Sequence, residues 1–328
     1  MTTPSSPPRR SEDTPASPGA ALLTASTGPD AAGFGVRPYN QRARIINRLV
    51  ITFCGTSAIV SIGALLCIFG FILFQGFAAV NLNFFTQLPK PSDDPTGGMS
   101  NAIAGTMVLI ALASCVGIPV GMLCGIYLSE YAKSGWFSNT IRLIIDILAG
   151  VPSIIVGVVV NVLIVVPLTG YSAWAGAVAL GFMMCPIIAR TTEEILRLVP
   201  AAYREASIGV GASRFQTLLR IVLPAARGGI ITGIMLAVAR VAGETAPLLF
   251  TVMGSSQPVF SWDGRFPYMH VDTNHMFPSL TKQIFDYSQS TEHEWIRQAW
   301  AGMLVLIVIV TVLNLAVRFV ARDRMRQI

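Results

Sequence analysis

The chain has 328 residues, 53% of them hydrophobic and only 12% charged, and its mean hydropathy is +0.62. An ordinary soluble domain carries about 25% charged residues, so the composition excludes that class and indicates an integral membrane protein. The net charge of +6 is not read as a nucleic-acid signature, because the basic residues cluster between apolar stretches, where they set orientation in a bilayer.

Residues 1–36 are rich in Pro, Ser, Thr, Gly and Ala, with only the short apolar cluster "AALL". They lack the longer apolar core of a cleavable signal and cannot bury enough surface to order themselves, so a disordered cytoplasmic tail is expected. A spanning helix needs about 20 apolar residues. Six stretches qualify: Leu49–Phe74, Ala104–Tyr127, Ile141–Leu168, Ser172–Ile188, Gly228–Met253 and Ala299–Val320. "AGVPS" (Ala149–Ser153) interrupts the third and Pro186 the fourth; such breaks are tolerated where protein or water satisfies the freed backbone. The cysteines Cys54, Cys67, Cys115, Cys124 and Cys185 all lie in apolar runs. With no metal or disulfide spacing, they are read as small packing residues.

Orientation follows the arginines. Arg9, Arg10, Arg37, Arg42, Arg44 and Arg48 precede the first span. Arg190, Arg197, Arg204, Arg214, Arg220 and Arg227 fill the loop 190–227, and Arg318, Arg322, Arg324 and Arg326 end the chain. The first-to-second loop has only Lys90, and the longer loop 254–298 has Arg265 and Lys282, with Arg297 at its end. The positive-inside rule then places both termini, including the tail 321–328, and the loop 190–227 in the cytoplasm, with 254–298 outside.

The inner loop contains "EASIGVGASRFQTLLRIVLP", Glu205 to Pro224. Local chemistry predicts two short helices around a turn. Val199-Pro200 opens the first, Gly209 and Gly211 supply the turn, and Ser213 with Gln216 forms a capping box for the second. Phe215, Leu218, Leu219 and Val222 then share one apolar face, and Pro224 ends the surface piece. A DNA-reading helix–turn–helix is disfavoured, because the second helix runs almost directly into a membrane span and leaves no third helix. A solvated connector is the plainer alternative. The chain carries no phosphate-cradling loop: its only lysines are Lys90, Lys133 and Lys282, preceded by Pro89, Ala132 and Thr281, not by the glycine that such a loop needs.

Glu205, Ala206, Ser207, Gly211, Ile221, Leu223 and Pro224 resemble the "EAA" loop of bacterial ABC-importer permeases, with Ser207 in place of the second alanine. The resemblance covers roughly residues 100–320. It implies the type I (MetI-like) fold, an all-α membrane protein with six transmembrane helices, and a loop that docks into a cytoplasmic ATPase subunit and couples its closure to the spans.

In the fifth span, Arg240 and Glu244 stand in an otherwise apolar run. A helix from Gly228 reaches Arg240 after about 18 Å, past the middle of a hydrocarbon core of about 30 Å, and the i,i+4 spacing puts both side chains on one face. Gly243 and Pro247 allow a bend or close packing there. Burying an ion pair for structure alone often gains nothing over apolar packing, whereas a guanidinium fork matches a tetrahedral oxyanion. "ARVAGETAPLLFT" (Ala239–Thr251) and "DILAGVPSIIVG" (Asp146–Gly157) are similar to segments of phosphate-importer permeases, particularly the PstA type. That resemblance implies Arg240 and Glu244 as substrate-pathway residues. It also implies these partners: inorganic phosphate, a second permease subunit of the PstC type, two ATPase subunits and an extracytoplasmic phosphate-binding protein. The setting would be the bacterial plasma (inner) membrane, with lipid around the spans and neither nucleic acid nor a cofactor. Another oxyanion (sulfate or molybdate), a passive anion channel or a phosphate sensor are the competing readings.

Weaker signals remain. Arg142 and Asp146 read as an i,i+4 anchoring pair, and Arg190, Glu193 and Glu194 as a solvated face. His270, Asp272 and His275 are too loosely spaced for a metal site. Trp262, Phe266, Tyr268, Phe277, Phe285 and Tyr287 suit a membrane interface or the receipt of a binding protein.

Overall fold

A computed structural model of the chain describes residues 41–94, 96–132, 135–168, 170–262, 269–271 and 273–325. The expected tail 1–36, Lys133, Arg265, Phe266, Tyr268, Asp272 and Arg326 lie outside the described residues, as do the side chains of Trp262, His270, Arg322 and Arg324. The chain divides into a unit ending at Cys67 and a second, Ile68–Ile328.

In chain order the helices are α1 (Gln41–Ala79), α2 (Leu82–Thr86), α3 (Ser100–Ile126), α4 (Trp136–Gly150), α5 (Ser153–Val160), α6 (Ala173–Arg197), α7 (Ala201–Gly209), α8 (Arg214–Thr217), α9 (Leu223–Ala242), α10 (Ala246–Thr251), α11 (Leu280–Ser288) and α12 (His293–Met325). Among the described residues, five helical segments are long and apolar enough to cross a membrane, and a bent pair makes a sixth. That pair is α4 with α5 and its continuation to Val165, bent by 102° at Val151-Pro152, where the sequence breaks the third span. The regular structure among the described residues is helical apart from one antiparallel ribbon, β1 (Phe260–Trp262) on β2 (Met269–Val271), which lies in the loop 254–298.

Helix α6 is the centre of the larger unit. Its outer surface is lined with small residues, and the partners that cross it are small as well. A Cβ on Gly117, Gly121 or Gly125 of α3 would stand 2.9 Å from the Gly181 carbonyl oxygen, 2.8 Å from Ile188 Cβ and 2.6 Å from the Ala189 carbonyl oxygen. On the other side, Gly229 of α9 meets Ile195 and Gly233 meets Thr191 just as tightly. Small residues four apart let helix backbones approach and gain dispersion contact, which is the main drive to association where lipid is as apolar as the core. Leu109, Leu180, Met184, Ile188 and Val241 fill the space that remains. Pro186 does not break α6, contrary to the sequence expectation. It lies inside the helix and is buried, with the α3 interface holding the turns on both sides of the lost hydrogen bond.

Four further expectations are corrected by the structure. The fifth span is not one helix from Gly228 to Met253: a continuous helical stretch runs from Arg214 to Ala242, stops at Gly243–Thr245, and resumes as α10. Pro224 does not end the surface piece. A π turn over Leu218–Val222 precedes it, so the wider turn absorbs the donor that proline lacks. The four-residue apolar face also divides, because Leu218 and Val222 are buried while Phe215 and Leu219 are exposed. Of the cysteines, Cys54, Cys67 and Cys115 are exposed and only Cys124 and Cys185 are partly packed.

Candidate functional site

The Arg240–Glu244 pair lies at the break of the fifth span. Arg240 is in the last turn of α9, Gly243 caps it, and the Glu244 amide donates to the Val241 carbonyl at 3.1 Å. Arg240 Nε and Glu244 Oε1 are 3.7 Å apart, with side chains 55% and 18% exposed respectively. The pair therefore straddles a helix end instead of lying along a helix face, and its cation points away from the chain's own core. Position at the C-terminal end favours the cation.

The two broken spans pack on each other beside this pair. Gly157 of α5 lies so close to Pro247 of α10 that a Cβ there would stand 2.6 Å from the proline Cα. Asn161 Nδ2 donates to the Phe250 carbonyl at 2.6 Å, which satisfies a backbone group inside an apolar region. Thr281 of α11 donates from Oγ1 to the Glu244 carbonyl at 3.0 Å, so the break is also held by the segment after the ribbon.

The second cluster is the helical hairpin α7–α8. Pro200 caps α7, and Ser213 and Gln216 form both bonds of the expected capping box. Of the two glycines only Gly211 has a left-handed conformation, φ +92°, and nothing stands within 4 Å of where its Cβ would be; Gly209 is the last residue of α7. The turn thus requires Gly211 for conformation and not for close contact. Ser207 is buried and its hydroxyl shares a 2.8 Å hydrogen bond with that of Thr217, which locks α7 to α8. Glu205 and Ala206 are exposed, and Ile221, Leu223 and Pro224 are half-buried. Tyr203, Ile208, Val210, Phe215 and Leu219 leave an apolar surface uncovered.

Sequence reasoning missed two ion-pair networks, of which the first anchors this hairpin and the second joins α4 to α6. Arg204 of α7 grips Glu130, in the π turn Tyr127–Tyr131 after α3, with Nη2–Oε1 at 2.7 Å and Nε–Oε2 at 3.2 Å, and donates to the Val199 and Leu196 carbonyls as well. Glu193 is buried rather than solvated. It receives Arg142 Nε at 2.8 Å and Arg197 Nη2 at 2.5 Å. Arg142 therefore does not pair with Asp146, which faces Arg190 at 3.7 Å; a carboxylate buried on α6 draws the nearer guanidinium because its desolvation must be offset. Arg190 and Glu194 do lie on an exposed face as expected, and they pair there at 2.9 Å. Glu130 and Arg204 stand 74 positions apart, so no local spacing announces them.

At the ribbon end of the larger unit, Lys90 and Thr96 surround Asp94. The Thr96 hydroxyl and the Lys90 ammonium hold the Asp94 carboxyl down at about 2. Tyr287 stacks on Trp295 at 5.1 Å, and burial pushes its phenol up. His275 is described there, and the described residues contain no group of three metal-ligating side chains.

Residues 117–325 match the family described as "Binding-protein-dependent transport system inner membrane component". The phosphate transport system permease protein PstA of Yersinia pestis is 39% identical over 75% of this chain and 80% of its own length. That of Haemophilus influenzae is 36% identical over 83% and 92%. The chain belongs to this permease family, in its PstA group. A chain of a bacterial alginate ABC transporter, solved in complex with an alginate pentasaccharide-bound periplasmic protein, is 15% identical. It covers 88% of this chain and 98% of that one at a TM-score of 0.61, a likeness of fold. Family membership makes this a multi-pass inner-membrane component of a transport system.

Proposed function

We propose that this chain is the membrane-spanning permease subunit of an ATP-driven inorganic phosphate importer, forming half of the translocation pathway. The observation that carries the reading is Arg240: a guanidinium 55% exposed on the surface of its own chain, at the broken end of a spanning helix. An arginine turned to lipid at that depth is costly, so its open side faces a second subunit and the path between them. A PstC-type permease suits that place. The 3.7 Å spacing to Glu244 leaves the guanidinium donors free for a tetrahedral oxyanion, while the carboxylate balances the charge and accepts a hydrogen bond from protonated phosphate. PstA relatives at 36–39% identity favour phosphate over sulfate or molybdate.

The hairpin α7–α8, with Glu205, Ala206, Ser207, Gly211, Ile221, Leu223 and Pro224, is the dock for the cytoplasmic ATPase. Two ATPase subunits supply the hydrolysis, for which this chain has no phosphate loop. The exposed apolar side chains from Tyr203 to Leu219 suit insertion into a groove, and a passive channel has no use for them. Both termini are cytoplasmic, and the 254–298 segment faces an extracytoplasmic phosphate-binding protein.

The decisive variant is Arg240→Met with Glu244→Leu, which removes both charges and keeps the volume. Reconstituted with its partners, it is expected to assemble fully and import no phosphate. Arg240→Lys recovers transport only in part, since an ammonium keeps the charge and loses the planar fork. Wild-type uptake by the double variant would reduce the pair to packing.

A further inference from the structure

Beyond the broken helix lies a cavity of about 400 Å³ for which neither the fold nor the reading above has a use. Ser255, Ser256, Gln257 and Ser279 give it a polar wall, and Lys282 and Asp286 line it with charge. Lys282 and Asp286 are an i,i+4 ion pair from α11. The lysine side chain is only 14% exposed, against 45% for the aspartate. Exposed pairs at this spacing add little stability, and a buried ammonium held by one mobile carboxylate is a poor structural device. The arrangement does repeat, on a second helix, the pattern of Arg240 and Glu244: a cation shadowed four residues later by the carboxylate that neutralises it when nothing else does.

Two further observations tie the cavity to the pair. Thr281, next to Lys282, donates to the Glu244 carbonyl, so α11 ties the cavity to the break that carries the pair. The turn Met253–Gly254, with φ +61° and +80°, also lines the cavity. A left-handed methionine is strained, and such strain persists where a fold holds a backbone in place for a site. Gly254 there lies against the Lys282 side chain, with Cδ 2.9 Å from where a Cβ would stand.

We infer that this cavity is an anion waiting site, in which Lys282 holds a tetrahedral oxyanion before it passes to Arg240. The proposal rests on the pathway reading above. The anion takes the ammonium from Asp286, which is exposed enough to swing aside, and the Ser255 and Ser256 hydroxyls and Gln257 donate to its remaining oxygens. A lysine suits a transient stop because it offers a point charge without the bidentate fork.

The test uses the assembled transporter in proteoliposomes without binding protein, in a cysteine-free background that still transports. Ser256→Cys, on the exposed rim, is labelled with an impermeant thiol reagent in chloride and in about 10 mM inorganic phosphate; a site with a dissociation constant near 1 mM slows labelling about tenfold. Lys282→Gln is expected to abolish the slowing, Lys282→Arg to keep it, and Asp286→Asn to bring it on at lower phosphate. Arg240→Gln is expected to leave the slowing intact while uptake, measured once the binding protein is added, is lost, which separates the two sites. Labelling indifferent to phosphate, or slowing that survives Lys282→Gln, overturns the waiting site. Slowing lost equally in Arg240→Gln means one site, not two. Failure of the Arg240–Glu244 reading alone shows instead as normal uptake by its double variant with the Ser256→Cys protection unchanged.

Discussion

Replacing Gly211 with alanine isolates a single physical term. The residue has φ +92° and open space where the Cβ would go, so the substitution adds backbone strain without a collision. An L residue in the left-handed region costs about 1–2 kcal/mol, enough to move a local equilibrium by roughly 5–30-fold. The strain falls on the turn that holds α7 against α8, beside the Ser207–Thr217 hydrogen bond. If the native turn is what the ATPase recognises, its apparent affinity for the permease falls by up to that factor, and phosphate uptake per ATP hydrolysed falls with it. Gly211→Asn, which tolerates this backbone better, is expected to lie between alanine and wild type. Gly209→Ala is the internal control: it is helical, has nothing within 4 Å of its Cβ position, and gains helix propensity of about 1 kcal/mol. Titration of the purified ATPase subunit onto permease in nanodiscs reads the affinity, and coupled uptake reads the function. Wild-type binding by Gly211→Ala, or an equal loss in Gly209→Ala, would refute the reasoning.

The Glu130–Arg204 clamp joins the hairpin to the end of α3 with side chains 16% and 23% exposed. Glu130→Gln is expected to lower thermal stability of the assembled complex by about 1–3 kcal/mol, measured by the melting midpoint, and to loosen coupling more than it lowers ATPase binding. In the α3–α6 interface, Gly125→Val drives a side chain at the Ala189 carbonyl, 2.6 Å from the Cβ position. Overpacking of about 1–3 kcal/mol is expected to cut the yield of folded permease, whereas Gly150→Ala, with nothing within 4 Å, leaves yield unchanged. Orientation is checked by single cysteines at Arg214 and Gln257 in intact cells: an impermeant thiol reagent is expected to label only the second, and labelling of position 214 alone would invert the topology.

Much of this architecture is legible along the chain, and what is not follows a physical pattern. The capping box at Ser213 and Gln216 is a contact between residues three apart, and it forms as read. The interruption at "AGVPS" is likewise local, and the chain bends by 102° there. Contacts across the fold have no such signature. Glu193 reads as one more charge at a helix end until α4 brings Arg142 onto it, and Arg204 reads as a loop arginine until Glu130 arrives from the π turn after α3. The stripe Gly117, Gly121, Gly125 did carry a legible signal, since small residues four apart in an apolar run mark a close helix crossing. Pro186 misleads for the converse reason: its local effect is overridden by the packing around it.

The positions where local rules are broken without compensation nearby fall together in space. Val151-Pro152 breaks the third span, Gly243–Thr245 breaks the fifth, and the helices that follow those breaks, α5 and α10, lock through Gly157 on Pro247 and Asn161 on the Phe250 carbonyl. A bundle selected only for stability would close both breaks, since each frees backbone groups that hydrocarbon cannot satisfy. Local and global preferences agree through most of a foldable sequence, and departures concentrate where function requires them. Arg240 stands at the rim of this paired discontinuity. There a helix end favours its charge, and the broken backbone gives it room to turn outward. In an unbroken span, the same arginine would be held along the helix face with Glu244 one turn away, paired and closed to a passing anion.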